Sequence, residues 1–191
     1  NIKHYYIHQI WPGACGRRSV ENDRLREQQR QLPAQFSNMS MMSTLGIRPG
    51  GGCHFLAEGY AVMARQLFPL VNKYNYGAQP EVSVTAPNIQ SVSYSSAKKD
   101  EITLVFDQGV KWEDEVARRF DLDDGPADFI SIGGTGKTIT LKLAEPSTAK
   151  NLSYVRGAKW NQDQPIIVGS NGIAALTFCE VPIRPARSHD D

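Results

Sequence analysis

The chain has 191 residues, 40% of them hydrophobic, which is enough for one or two packed domains. Its 21 basic and 20 acidic residues leave a net charge of +1, and no basic stripe alternates with aromatics, so nucleic acid is not an expected partner. No apolar run in the sequence is long enough to span a membrane.

In chain order, the first element is the run from His4 to Trp11, rich in β-branched and aromatic residues and stopped by Pro12-Gly13. It reads as a strand. Glu21 to Leu32 carries helix formers and should end before Pro33. Asn38 to Leu45 reads as a second strand or an extended loop. Pro49-Gly50-Gly51-Gly52-Cys53-His54-Phe55 then places one imidazole in a glycine-rich loop. Glycines let the backbone approach a substrate closely, and histidine suits proton transfer near neutral pH. From Leu56 to Val71 an apolar face recurs at Leu56, Tyr60, Met63 and Leu67, which predicts a helix.

From about Pro80 the pattern changes to short alternating segments. Ile102, Leu104 and Phe106 should point inward on one strand, and Ile139, Leu141 and Leu143 on another. Ala174 to Val181 closes the set. Evenly spaced strands with Gly, Asn, Asp and Pro between them predict an antiparallel Ig-like β-sandwich. The expected fold class is thus α+β overall: a partial α/β segment over 1–78, then the sandwich over 79–191. Two strands and two helices are too few to close the first unit alone.

Gly133-Gly134-Thr135-Gly136-Lys137-Thr138 looks like a phosphate-binding loop, but Ser131 stands where the full motif needs glycine, and a strand pattern follows it. A hairpin turn is the better reading. The three cysteines, Cys15, Cys53 and Cys179, have no metal-ligand spacing and cannot all pair, which argues against a disulfide scaffold. Cys53 reads as a buried small hydrophobe. Asp121-Leu122-Asp123-Asp124-Gly125 lacks the downstream glutamate of a calcium loop and reads as a solvated turn. No metal and no cofactor are expected.

The segments Tyr6 to Pro12, Met42 to Ile47, and Gly51-Gly52-Cys53-His54 with its helix resemble the C-terminal end of an SGNH-type hydrolase, of the sialate O-acetylesterase and carbohydrate esterase kind. Asn171 to Phe178 resembles a segment of the accessory β-sandwich that follows some of these esterase domains. The resemblance implies that His54 is the catalytic histidine, in a loop before the final helix. It also implies an acylated carbohydrate or other small ester as substrate. Two departures stand out. The family's nucleophile turn, Gly-Asp-Ser or Gly-Gln-Ser, is absent from this chain, and Gly51 and Gly52 hold the places where the family has an aspartate. An unassisted histidine lacks the partner that fixes its tautomer.

Ser19 and Ser43 have no nucleophile-elbow context. Glu58, four residues after His54, could orient it or simply solvate the first turn of the helix. Trp112 and Trp160 could stack on sugars, although core packing is the default. The leading expectation is an ester hydrolase, or the C-terminal portion of one, using serine/histidine chemistry with the serine outside this chain. The alternative is a non-catalytic carbohydrate-binding or structural β-sandwich module. The start at Asn1 suggests a processed or truncated product. It leaves the compartment unknown, with a secreted or periplasmic setting consistent with the reading. The unpaired edge of strand 4–11 and the apolar helix face need a cover, either the sandwich folded back onto the helix or a second copy in a two-fold homodimer, with the dimer favoured slightly.

Overall fold

The structure, a computed structural model, describes residues 2–48, 50–123 and 125–186. Asp124, part of the acidic turn noted above, lies outside the described residues. β1 (Tyr5–His8) and β2 (Met39–Met42) run parallel, with Tyr6 opposite Ser40 and His8 opposite Met42. A parallel pair needs a long crossover, and α1 (Val20–Gln35) supplies it. The helix runs past Pro33, where the sequence predicted its end. Packing of α1 on β2 and on the last strand outweighs the local preference of proline. β3 (Gly50–Gly51) and β4 (His54–Phe55) form a small hairpin that leads into α2 (Ala57–Tyr76). Gly77, at φ 75, caps α2 with the left-handed conformation that glycine adopts freely.

The remaining strands are β5 (Ile89–Tyr94), β6 (Glu101–Phe106), β7 (Val110–Lys111), β8 (Phe120–Leu122), β9 (Gly125–Pro126), β10 (Phe129–Thr135), β11 (Thr138–Leu143), β12 (Asn151–Tyr154), β13 (Val168–Gly169) and β14 (Phe178–Arg184). Eight of these join in one sheet, ordered β10-β11-β6-β5-β14-β12-β8-β9. All of its pairings are antiparallel except β14 with β5. β14 links the two sides: its first residues pair with β12 and its last with β5. The sheet curls until strands far apart in the order meet, with the Phe120 ring on β8 lying 6.3 Å from Phe129 on β10. The fold is therefore α+β with one large curled sheet. Its hydrogen bonding gives one continuous strand order, whereas the sequence predicted the two facing sheets of an Ig-like sandwich.

The alternation read for β6 and β11 holds: Ile102, Leu104, Phe106, Ile139, Leu141 and Leu143 are all buried. The segment 174–177 is buried too but is not strand, and β14 begins only at Phe178. The segment that looks like a phosphate-binding loop is the β10–β11 hairpin turn, as read from the sequence, with Thr135 paired to Thr138. A side chain at Gly134 would meet the Thr138 carbonyl oxygen at 2.2 Å, so glycine is needed there for the close approach of the strands.

The regions before and after residue 78 share a core. Met41, Met42 and Leu70 pack with Val84, Ala86, Ile173 and Leu176. A buried polar seam runs alongside. Arg26, 2% exposed, donates to Asp23 Oδ1 (2.8 Å), to Thr177 Oγ1 (3.0 Å) and to the Val155 carbonyl (2.9 Å). Asp23 also accepts from the Gly157 amide, and Glu27 accepts from the Cys179 amide. Gln9 completes the seam by exchanging hydrogen bonds with both backbone groups of Thr177. Burial pulls the Arg26 pKa down, and the neighbouring Asp23 carboxylate opposes that shift. These partners satisfy Arg26 and Asp23 Oδ1 inside the protein, while Asp23 Oδ2 is buried without a hydrogen bond among the described residues and faces the Arg156 guanidinium at 3.5 Å.

Candidate functional site

Because β1 and β2 are parallel, the chain leaves both at the same edge. Ligand sites of open parallel sheets gather at that carboxyl edge. The loop after β1 carries Trp11, Pro12 and a short 3-10 turn over Ala14–Gly16. The loop after β2 carries the β3–β4 hairpin. Gly51 pairs with His54 and Gly50 with Phe55, leaving Gly52-Cys53 as the turn, with Gly52 at φ 70. A glycine accepts that conformation without strain.

The two loops are joined covalently. Cys15 and Cys53 form a disulfide, and the Cys15 amide donates to the Gly52 carbonyl at 3.5 Å. This corrects the sequence reading of Cys53: it is exposed and bridged, whereas a buried thiol was predicted. The odd cysteine is Cys179, buried in β14, where burial and the neighbouring Glu180 push its thiol up to about 11. His54 follows Cys53 directly and is exposed on β4. Phe55 lies inward, its ring 5.8 Å from Trp11 and 6.0 Å from Tyr60 on α2. Trp11 in turn meets Trp160 edge-on at 6.0 Å. An exposed imidazole on a hairpin backed by aromatics can exchange protons with a bound molecule.

The other candidates have structural partners. Ser43 is 1% exposed, donates to the Ala175 carbonyl and accepts from the Leu45 amide. Ser19 sits ahead of α1 and accepts from the Asn22 side chain. Glu58 is exposed in the first turn of α2. Asp121 is buried against the Lys159 ammonium, and Asp123 accepts from the Lys150 and Asn151 amides, which fits a turn and not a calcium loop. Trp160 is 6% exposed beneath the Arg119 guanidinium, and Trp112 packs half-buried on the core, so neither offers an open sugar platform. Among the described residues, no group of three or more His, Cys, Asp or Glu is placed to hold a metal ion. No described helix is long and apolar enough to cross a membrane.

Two features of this edge were not anticipated from the sequence. One is the Cys15–Cys53 bridge, which the odd cysteine count had argued against and which leaves Cys179 as the unpaired one. The other is His8, at the carboxyl end of β1. Its Nε2 is buried with no hydrogen-bond partner among the described residues, and burial draws its pKa down.

No protein-family model matches this chain, and no curated protein matches its sequence. Among solved structures, the fold is similar to the crystal structure of a carbohydrate acetylesterase from Xanthomonas citri. The TM-score is 0.70 at 13% sequence identity, over 92% of this chain and 40% of that one. The chain thus spans about two fifths of the length of that relative, and the likeness is one of fold.

Proposed function

We propose that this chain is the C-terminal portion of an ester hydrolase acting on acyl esters such as O-acetylated carbohydrate, with His54 as its general base. The observation that carries the reading is an exposed histidine on a tethered hairpin at the carboxyl edge of a parallel strand pair, within a fold like that of a carbohydrate acetylesterase. In this reading residues 1–78 complete an SGNH-like unit, and residues 79–191 are its accessory β domain. The nucleophilic serine comes from residues outside this chain. It attacks the acyl carbonyl while His54 takes its proton. His54 then protonates the departing sugar oxygen, and water attacks the acyl-enzyme with the same residue as base.

The test is hydrolysis of a simple acetyl ester by this chain, alone and joined to the residues encoded upstream, each as wild type and as His54→Ala. Loss of turnover in the His54→Ala protein is the expected result. Equal rates with and without His54 would remove it from the chemistry.

A further inference from the structure

We infer that the Cys15–Cys53 disulfide is the positioning element of the His54 hairpin, so that its reduction by a dithiol releases the histidine and slows ester hydrolysis. The inference rests on the reading of His54 as general base. It starts from how little else holds the hairpin. Each of its strands has two residues, with two paired positions between them. A two-stranded ribbon of that size has no stability of its own. Gly50, Gly51 and Gly52 contribute no side chains that could anchor it, and glycine is the residue with the most backbone freedom to lose. Cys53 and His54 are both exposed. Among the described residues, what else holds it is the Phe55 ring between Trp11 and Tyr60 where β4 meets α2, the exposed Arg48–Asp163 ion pair at its base, a 3.5 Å hydrogen bond from the Cys15 amide, and the bridge itself.

The other end of the bridge is fixed. Cys15 sits in a 3-10 turn closed by the Ala14 amide on the Trp11 carbonyl and the Arg17 amide on the Ala14 carbonyl. Pro12 ahead of it is buried, and Trp11 is wedged against Trp160 of the core. Cys15 holds a left-handed backbone, φ 55, which a cysteine adopts only where its surroundings impose it. The disulfide therefore carries the rigidity of this platform across to the residue next to His54. Both of its cysteines are exposed, so an external thiol reaches them, and exposed disulfides are the readily reduced ones. Buried Cys179 stands apart from the exchange.

The chemistry is ordinary thiol–disulfide exchange. A thiolate of the dithiol attacks one sulfur of the bridge, forming a mixed disulfide and expelling the other sulfur as thiolate. The second thiol of the reductant then attacks the mixed disulfide. The reductant leaves as a disulfide, two electrons have passed to the protein, and Cys15 and Cys53 each end as a thiol.

The experiment uses dithiothreitol on the wild-type chain, with the Cys15→Ser/Cys53→Ser protein as a second route to the open state. Thiol titration in denaturant should find one thiol before reduction and three after it. Amide hydrogen exchange should show residues 50–55 losing protection almost completely in the reduced and serine proteins, while α1 and the large sheet stay protected, lowered only by the global loss of stability. The His54 imidazole NMR signals should move and sharpen in parallel. In the protein joined to its upstream residues, reduction should lower kcat by up to about 100-fold with little change in KM, because a misplaced base still leaves the substrate bound. Unchanged exchange and unchanged His54 signals in both open proteins would overturn the inference. So would His54-dependent turnover that reduction leaves untouched, and that result would leave the hydrolase reading standing. Oxidised protein without His54-dependent turnover would instead overturn the hydrolase reading, while the exchange measurement would still decide whether the bridge positions the hairpin.

Discussion

Replacing Arg26 with leucine should destabilise the whole protein, and the structure sets the size of the effect. Arg26 and Asp23 are each 2% exposed, and the guanidinium is held at 2.8, 2.9 and 3.0 Å by Asp23, Val155 and Thr177. Arg26→Leu fills much of the same volume but leaves Asp23 charged and buried. Asp23 would keep the Gly157 amide at 2.9 Å and the Arg156 guanidinium at 3.5 Å. Breaking a buried pair from one side costs about 3–5 kcal/mol. With a urea slope of about 1–3 kcal/mol/M, the midpoint should fall by at least ~1 M. Urea unfolding followed by circular dichroism measures this. Because Arg26 ties α1 to both Val155 and Thr177, a single transition should move as a unit. Adding Asp23→Asn should recover part of the loss by removing the stranded charge. A loss below about 1 kcal/mol, or no recovery in the double variant, would refute the view that the pair is closely coupled.

Removing the disulfide in Cys15→Ser/Cys53→Ser frees a loop whose ends are 38 residues apart, for which chain entropy gives a loss near ~4 kcal/mol in the same urea assay. Stability should also fall in mild acid. Burial lowers the pKa of both His4 and His8, with Lys73 adding to the effect at His4, so the folded state binds fewer protons than the unfolded one. That contribution is complete above the unfolded value of about 6.5 and is lost as pH drops through it toward the lower folded values. Thermal midpoints should therefore decline from about pH 7.5 to about pH 5.5, and less steeply in His4→Gln/His8→Gln; parallel curves would contradict this. Association is the last prediction. Tyr60 and Phe68 on α2 are 47% and 63% exposed, and a two-fold dimer through that side of the helix should appear by light scattering at micromolar concentration. A monodisperse monomer would reject it.

The sequence by itself determined what is local. Alternation at two-residue steps placed Ile102 to Phe106 and Ile139 to Leu143 on buried strand faces, because a strand's side chains alternate whatever it pairs with. Residue spacing found α2, and glycine content marked the loop before it that carries His54. What the sequence left open depends on partners distant along the chain. The sequence marked Glu21 to Leu32 only by its helix formers, yet Asp23, Arg26 and Glu27 are buried there, with partners at Thr177, Val155, Gly157 and Cys179 more than 125 positions away. Phe120–Leu122 and Asn151–Tyr154 are too short to show a period and are strands because they pair with each other. Cys53 read as a buried thiol until the parallel pairing of β1 and β2 brought Cys15 out at the same edge. Periodicity and propensity are properties of neighbouring residues. Which buried charge meets which partner, and which cysteine stands beside which, is decided only when the chain closes on itself.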